Sequence, residues 1–267
     1  MTRVIHVAVV LVFLAAIFWA SGLGEPKDKY AILIVLGAAL LAWILFLVHL
    51  IRVTREVQAG GVLLTTGQLD DAEVWLRRGI ERFSLSGHAK ILACQQLASL
   101  FFRRSAYQEV VTICQELLRH RIRRVRKVWI NTRLMLADSL LMLDRTSEAY
   151  AAMRPVYDVP LSLADRMKLL PIQLRYELAA DHAASAVQAL AEKVRIAELL
   201  DAPRAALVHA LLAEACRREA MPGQRDFLAE RARLYFDLDQ LVQRYAVIAP
   251  IAGEGQRSIG NRCAPDR

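Results

Sequence analysis

Gly67-Gln-Leu-Asp-Asp-Ala72, Ser105-Ala-Tyr-Gln-Glu-Val110 and Asp144-Arg-Thr-Ser-Glu-Ala149 repeat one pattern at near-equal intervals along the chain. Each begins on a turn-forming residue, passes an acidic residue, and reaches a small or branched residue that opens a helix. Leu69 and Tyr107 supply an apolar residue inside the first two turns, where the third has Thr146. Acidic side chains at this point face a helix N-terminus, whose partial positive charge they stabilise. Self-similarity at a fixed period marks repeated supersecondary units, so the pattern predicts helix pairs that stack on one another.

Apolar positions before each turn repeat as well. Leu97-Ala98 with Phe101 recurs as Leu136-Ala137 with Leu140, and Ala59-Gly60 with Leu63 is a weaker version before the first turn. Small residues at such points let paired helices approach closely. Gly60, Ala98 and Ala137 are one small position, and Ala72, Val110 and Ala149 a second. Leu76, Cys114 and Met153 are the larger apolar residues that follow. Beyond Asp158 the pattern fades. Leu163–Ala180 with Ala183–Leu199 keeps only an echo around Ala186, and Pro203–Arg217 with Pro222–Val247 has lost it. The last stretch reads as one amphipathic capping helix with Phe227, Leu228, Leu234, Leu238, Leu241 and Tyr245 along one face.

Working back from the repeats, the first fifty residues hold two apolar runs, Val4–Leu23 and Ala31–Leu50, separated by Gly24-Glu25-Pro26-Lys27-Asp28-Lys29. Each run has the roughly 20 residues that a transmembrane helix needs. The first also reads as a cleaved signal peptide, with Ala20-Ser21-Gly22 as a small-residue site. Trp19 and Tyr30 stand where aromatic belts form. Arg3, with Arg52 and Arg55, outweighs Lys27 and Lys29, and positive charge stays on the inner side. The expected placement is therefore a multi-pass protein of the bacterial inner (plasma) membrane with a cytoplasmic helical domain.

These residues resemble the tetratricopeptide repeat (TPR), whose turn reads Gly-x-Tyr-x-x-Ala after a helix carrying Leu-Gly and an aromatic. The spacing here departs from the family's 34 residues, and the usual terminal Pro is missing after the first two units. The expected fold is all-α: a two-helix transmembrane hairpin over residues 1–52 (spans about 4–23 and 31–50), then an α-solenoid of TPR-like helix pairs over 53–248. Residues 249–267, rich in Gly, Pro and polar side chains, read as a disordered tail. The layout is similar to inner-membrane TPR proteins of bacteria.

In a TPR stack the resemblance places partner binding on the concave face formed by the first helices. Leu92, Gln95, Ser99, Phe102 and Arg103 would line it in the second repeat. The third would add Asn131, Leu134, Asp138, Leu141 and Met142. The mixture suits an apolar peptide or helix from a protein partner. The Lys and Asn pairs with which some TPRs clamp a terminal carboxylate are missing.

Charge is local. The chain carries a net +8, and most of it comes from the run around Arg119, Arg121, Arg123, Arg124, Arg126 and Lys127, which connects two helix pairs. At an anionic surface each such side chain is worth about 1 kcal/mol, so the run suits an anionic lipid or an acidic partner. It has no interleaved aromatics or base-reading motif, which argues against nucleic acid.

No phosphate loop, metal-ligand spacing or nucleophile–base set is found in the sequence. The six histidines are scattered, and Cys94, Cys114, Cys216 and Cys263 have neither CxxC spacing nor histidine partners. Cys94 and Cys114 read as core packing. The chain is thus expected to be no enzyme and to need no cofactor or metal. It reads as a membrane-anchored scaffold or adaptor, or alternatively a structural or regulatory subunit of an envelope complex assembled through its hairpin; an enzyme with a non-motif site ranks below both.

Overall fold

The computed structural model describes residues 26–81, 87–119, 122 and 125–252 of the 267. Among the described residues every element is helical: α1 (Pro26–Thr66), α2 (Leu69–Glu81), α3 (Gly87–Arg103), α4 (Tyr107–Arg119), α5 (Arg126–Met142), α6 (Thr146–Tyr157), α7 (Leu163–Ala179), α8 (Ala183–Val187), α9 (Leu190–Ala197), α10 (Ala202–Arg218), α11 (Pro222–Tyr235), α12 (Leu238–Arg244), and a 3₁₀ turn, Ala246–Ile248. The chain forms two compact units, Met1–Gln96 and Leu97–Arg267.

One backbone feature organises both units. Gly67, Ser105, Asp144, Asp181 and Ala220 all have positive φ, between 55° and 84°. Each lies just past the end of a first helix. The amide after each reaches back to a carbonyl in the helix's last turn: Gln68 to Leu63 at 3.0 Å, Ala106 to Phe101 at 3.0 Å, Arg145 to Leu140 at 2.9 Å, His182 to Glu177 at 2.7 Å and Met221 to Cys216 at 2.9 Å. This is the Schellman arrangement, which satisfies otherwise orphaned C-terminal carbonyls. The first helices α3, α5, α7 and α10 are each 17 residues long, so the period is structural as well as sequential. It extends through Asp181 and Ala220, where the sequence shows only an echo and then nothing. The reason is that this turn needs a left-handed backbone rather than a particular side chain, and Ser, Asp and Ala all adopt it at a modest cost.

Within the second unit, first helices pack on second helices and on one another: α5 meets α6, α4 and α7, and α10 meets α11, α9 and α7. The residues aligned across the three motifs are fully buried: Ala98 and Ala137 before the turns, then Val110 and Ala149 after them, and Cys114 and Met153 one helical turn beyond. In the first unit α1 lies against α2. A Cβ at Gly60 would come within 2.8 Å of the Leu76 side chain, so only glycine permits that approach.

The fourth pair departs from a plain two-helix form. Its second helix breaks at Gln188–Ala189, with Ala189 at φ 50°. Lys193 Nζ donates to the carbonyls of Ser185 (2.9 Å) and Ala186 (2.8 Å) left open by the break. The expected single capping helix over Pro222–Val247 is likewise interrupted. Phe236 is extended, α11 ends before it, and Asp237 caps α12 through the Asp239 amide at 3.0 Å. The turn splits the anticipated apolar face: Leu228, Leu238 and Leu241 are buried, whereas Phe227 and Leu234 are exposed. Residues 249–252, expected in the tail, are helical, and Ile251 is buried.

Among the described residues no helix is long and apolar enough to cross a membrane. This overturns the transmembrane hairpin, the multi-pass inner-membrane placement and the cytoplasmic orientation derived from it. Pro26–Lys29, read as an interspan turn, is the helical start of α1. That 41-residue helix does not stop at Leu50 but continues through Arg52, Arg55 and Glu56 into a half that packs on α2 through Val57, Gly60 and Leu64. Val4–Leu23 lies outside the described residues.

If the left-handed turn sets the period, Ala220→Gly should raise stability by about 1 kcal/mol, and Gly67→Ala should lower it by a similar amount. Denaturant melts of the two variants measure this directly. Equal stabilities for Ala220→Gly and the parent chain would refute the assigned backbone.

Candidate functional site

Positions six residues before each turn are Ser99, Asp138, Arg175 and Glu214, on α3, α5, α7 and α10. α5 and α7 have equal lengths and pack on one another, and corresponding positions on these two helices meet. Asp138 and Arg175 form an ion pair and hydrogen bond. Thirteen residues before the turns, Lys168 Nζ donates to Asn131 Oδ1 at 3.0 Å in the same way.

Arg175 is the hub. Only 8% exposed, its guanidinium also donates to Met142 Sδ at 3.0 Å and lies 4.8 Å over the Tyr245 ring. A carboxylate, a soft sulfur and an aromatic face together compensate a cation withdrawn from water. Arg244 continues the series, 5.6 Å from the Tyr245 ring and 5.3 Å from that of Phe102. Phe102 meets Tyr107 edge-on at 5.4 Å. The result is a ladder of alternating cations and aromatics drawn from α3, α4, α5, α7 and the end of α12. Burial raises the Tyr245 hydroxyl's pKa, with Asp138 adding to the rise and Arg244 and Arg175 opposing it.

Of the ten groove residues expected from sequence, Phe102, Asp138 and Met142 belong to this ladder, and Asn131 stands beside it, bonded to Lys168. Ser99 is half-buried and Arg103 exposed on the same helix as Phe102. Leu134 and Leu141 are buried core residues. Leu92 and Gln95 belong to the first unit, each half-buried. Arg175, Lys168, Arg244 and Tyr245 were missed. The first two could have been found by carrying the turn register on to Asp181, since they occupy the positions of Asp138 and Asn131. Arg244 and Tyr245 come from a segment with no repeat counterpart.

The fourth corresponding position, Glu214, is 1% exposed. Burial pushes its pKa up, but hydrogen bonds from Arg217 (2.7 Å) and Arg218 (2.9 Å) more than offset this, and the net shift is downward. Arg218 also donates to the Leu178 carbonyl at 2.8 Å. This ties the end of α10 to the end of α7.

In the basic run, Arg119 pairs with Glu116 at 3.0 Å, and Arg126 and Lys127 are exposed at the start of α5. Arg121, Arg123 and Arg124 lie outside the described residues. Ile122, in their midst, is 1% exposed, and its carbonyl accepts from the Val125 amide at 2.8 Å. Cys94, Cys114 and Cys216 are free thiols, and Cys114 and Cys216 are buried. Burial pushes all three up in pKa, Cys114 to about 12, which holds them protonated and unreactive.

Comparison with protein-family models, with curated proteins and with solved structures finds no match to this chain.

The depressed Glu214 pKa carries a pH signature. Since its folded value lies below the unfolded one, its stabilisation is present above the ordinary carboxylate value of about 4.3 and is lost as pH falls through the folded value. Glu214→Gln should therefore unfold with a shallower loss of stability between pH 5 and 3 than the parent. Parallel slopes in urea melts across that range would remove Glu214 from the account.

Proposed function

We propose that this chain is a binding scaffold built from TPR-like helix pairs, which holds a segment of a protein partner along the face formed by its first helices. The observation that carries the reading is the ladder itself. Asn131 with Lys168 and Asp138 with Arg175 pair at corresponding positions of α5 and α7, and Phe102, Tyr107, Arg244 and Tyr245 extend the same face, where a purely structural stack would place more core. Aromatic and arginine side chains are the residue types that concentrate binding energy at interfaces. Arg103, Lys168 and Arg244 are exposed around the ladder, and the half-buried Asp138 is already engaged by Arg175. The face is therefore net positive and suits a segment carrying acidic and apolar residues.

A binding role fits the residues better than catalysis. The described thiols are held protonated by burial, and Tyr245, the ladder's hydroxyl, has a raised pKa. Neither is placed to act as a nucleophile or base near neutral pH. Assembly through a transmembrane hairpin loses its basis with the correction above.

A photoreactive amino acid at Arg103 or Asn131 should crosslink a discrete protein partner in cells, and Arg244→Glu should reduce that product at least tenfold. The same probe at Gln115, on the exposed side of α4, is the control. Equal crosslinking from Gln115, or insensitivity to Arg244→Glu, would defeat the reading.

A further inference from the structure

We infer that the α1–α2 junction of the first unit binds a free, single-chain anionic amphiphile, its head group in a basic hollow and its tail along α1. The hollow, about 440 Å³, is lined by Arg52, Arg55, Glu56, Ala59 and Trp75. Arg52 and Arg55 are exposed, and among the described residues neither makes an ion pair. Arg78 sits 5.7 Å from the Trp75 ring and adds a third cation. Glu56 is the one acidic side chain in the lining, so with Arg52, Arg55 and Arg78 against it the hollow is net positive. Guanidinium groups match carboxylate and phosphate oxygens in geometry as well as charge.

The tail's path is set by helical spacing. Leu41, Leu45, Val48, Arg52, Arg55 and Ala59 follow one another at alternating steps of four and three, which places them on one stripe of α1. Leu41 and Leu45 are 59% and 62% exposed, and Val48 is also exposed. An uncovered apolar strip thus runs directly into the basic hollow. From Leu41 to Arg52 is about 16 Å at 1.5 Å per residue, within reach of an extended mid-length acyl chain. Charge selects this occupant over a second copy of the chain packed in parallel. A parallel copy packed on the same seam would set Arg52 against Arg52 and Arg55 against Arg55, and like charges in a helix seam disfavour pairing.

Titration of the full chain with monomeric myristate tests the inference by calorimetry. Saturable binding of one myristate per chain is expected, weakened at least tenfold in Arg52→Gln/Arg55→Gln and again in Leu45→Ser, with inorganic phosphate binding far more weakly than myristate. The substituted side chains are exposed, and unchanged circular dichroism verifies that the variants fold. The inference is overturned by an absence of saturable binding, or by myristate affinity unchanged in both variants. It is equally overturned if the chain binds phosphatidylglycerol vesicles but not monomeric myristate, which would make a lipid surface the ligand. A dimer that dissociates in Leu45→Ser, with no myristate binding, would identify a second copy as the occupant and overturn it too.

Discussion

A residue in the left-handed conformation closes each first helix, and the rest of the second unit depends on it. The reversed turn satisfies two carbonyls that would otherwise be left open at the helix end, and it fixes where the next helix starts. When the turn recurs at Ser105, Asp144, Asp181 and Ala220, helices of equal length are brought alongside in register. Small residues such as Ala98, Ala137 and Ala149 then let them close up. Packing of this kind converts a local backbone preference into a repeated tertiary contact.

The functional face is a second consequence of that register. Side chains at one offset from the turn line up across α5 and α7, so Asp138 meets Arg175 and Asn131 meets Lys168. Arg175 is almost withdrawn from solvent. It is tolerable there because a carboxylate, a sulfur and an aromatic ring all face it, and removal of any one partner leaves a charge poorly compensated. The segment after α11 completes the ladder from outside the repeat. Its own core residues, Leu238, Leu241, Ile248 and Ile251, are buried, which fixes Arg244 and Tyr245 in place.

How much of this could be read in advance varied with the kind of signal. The all-helical class, the first three turns and the small residues flanking them were legible because they leave a side-chain pattern. The turns at Asp181 and Ala220 were not, since a left-handed backbone can be adopted by Ala or Asp without the Gly or Tyr that makes the motif visible. The site was half legible. Phe102, Asp138 and Met142 followed from the concave face that the TPR resemblance implies, whereas Leu134 and Leu141 share that stretch of α5 but are buried. Hydrophobicity misled most at the N-terminal end. An apolar run was read as a span ending at Leu50, although the helix it belongs to continues through charged residues and packs on α2. Periodicity along one helix also does not report a break such as Phe236, which depends on one extended residue and the cap that follows.

The turn register brings corresponding side chains of α5 and α7 into energetic contact. A double-mutant cycle on Asp138→Ala and Arg175→Met, read by urea denaturation, measures this most directly. The expected coupling energy is about 1–3 kcal/mol. Additivity of the two substitutions to within about 0.5 kcal/mol would contradict it.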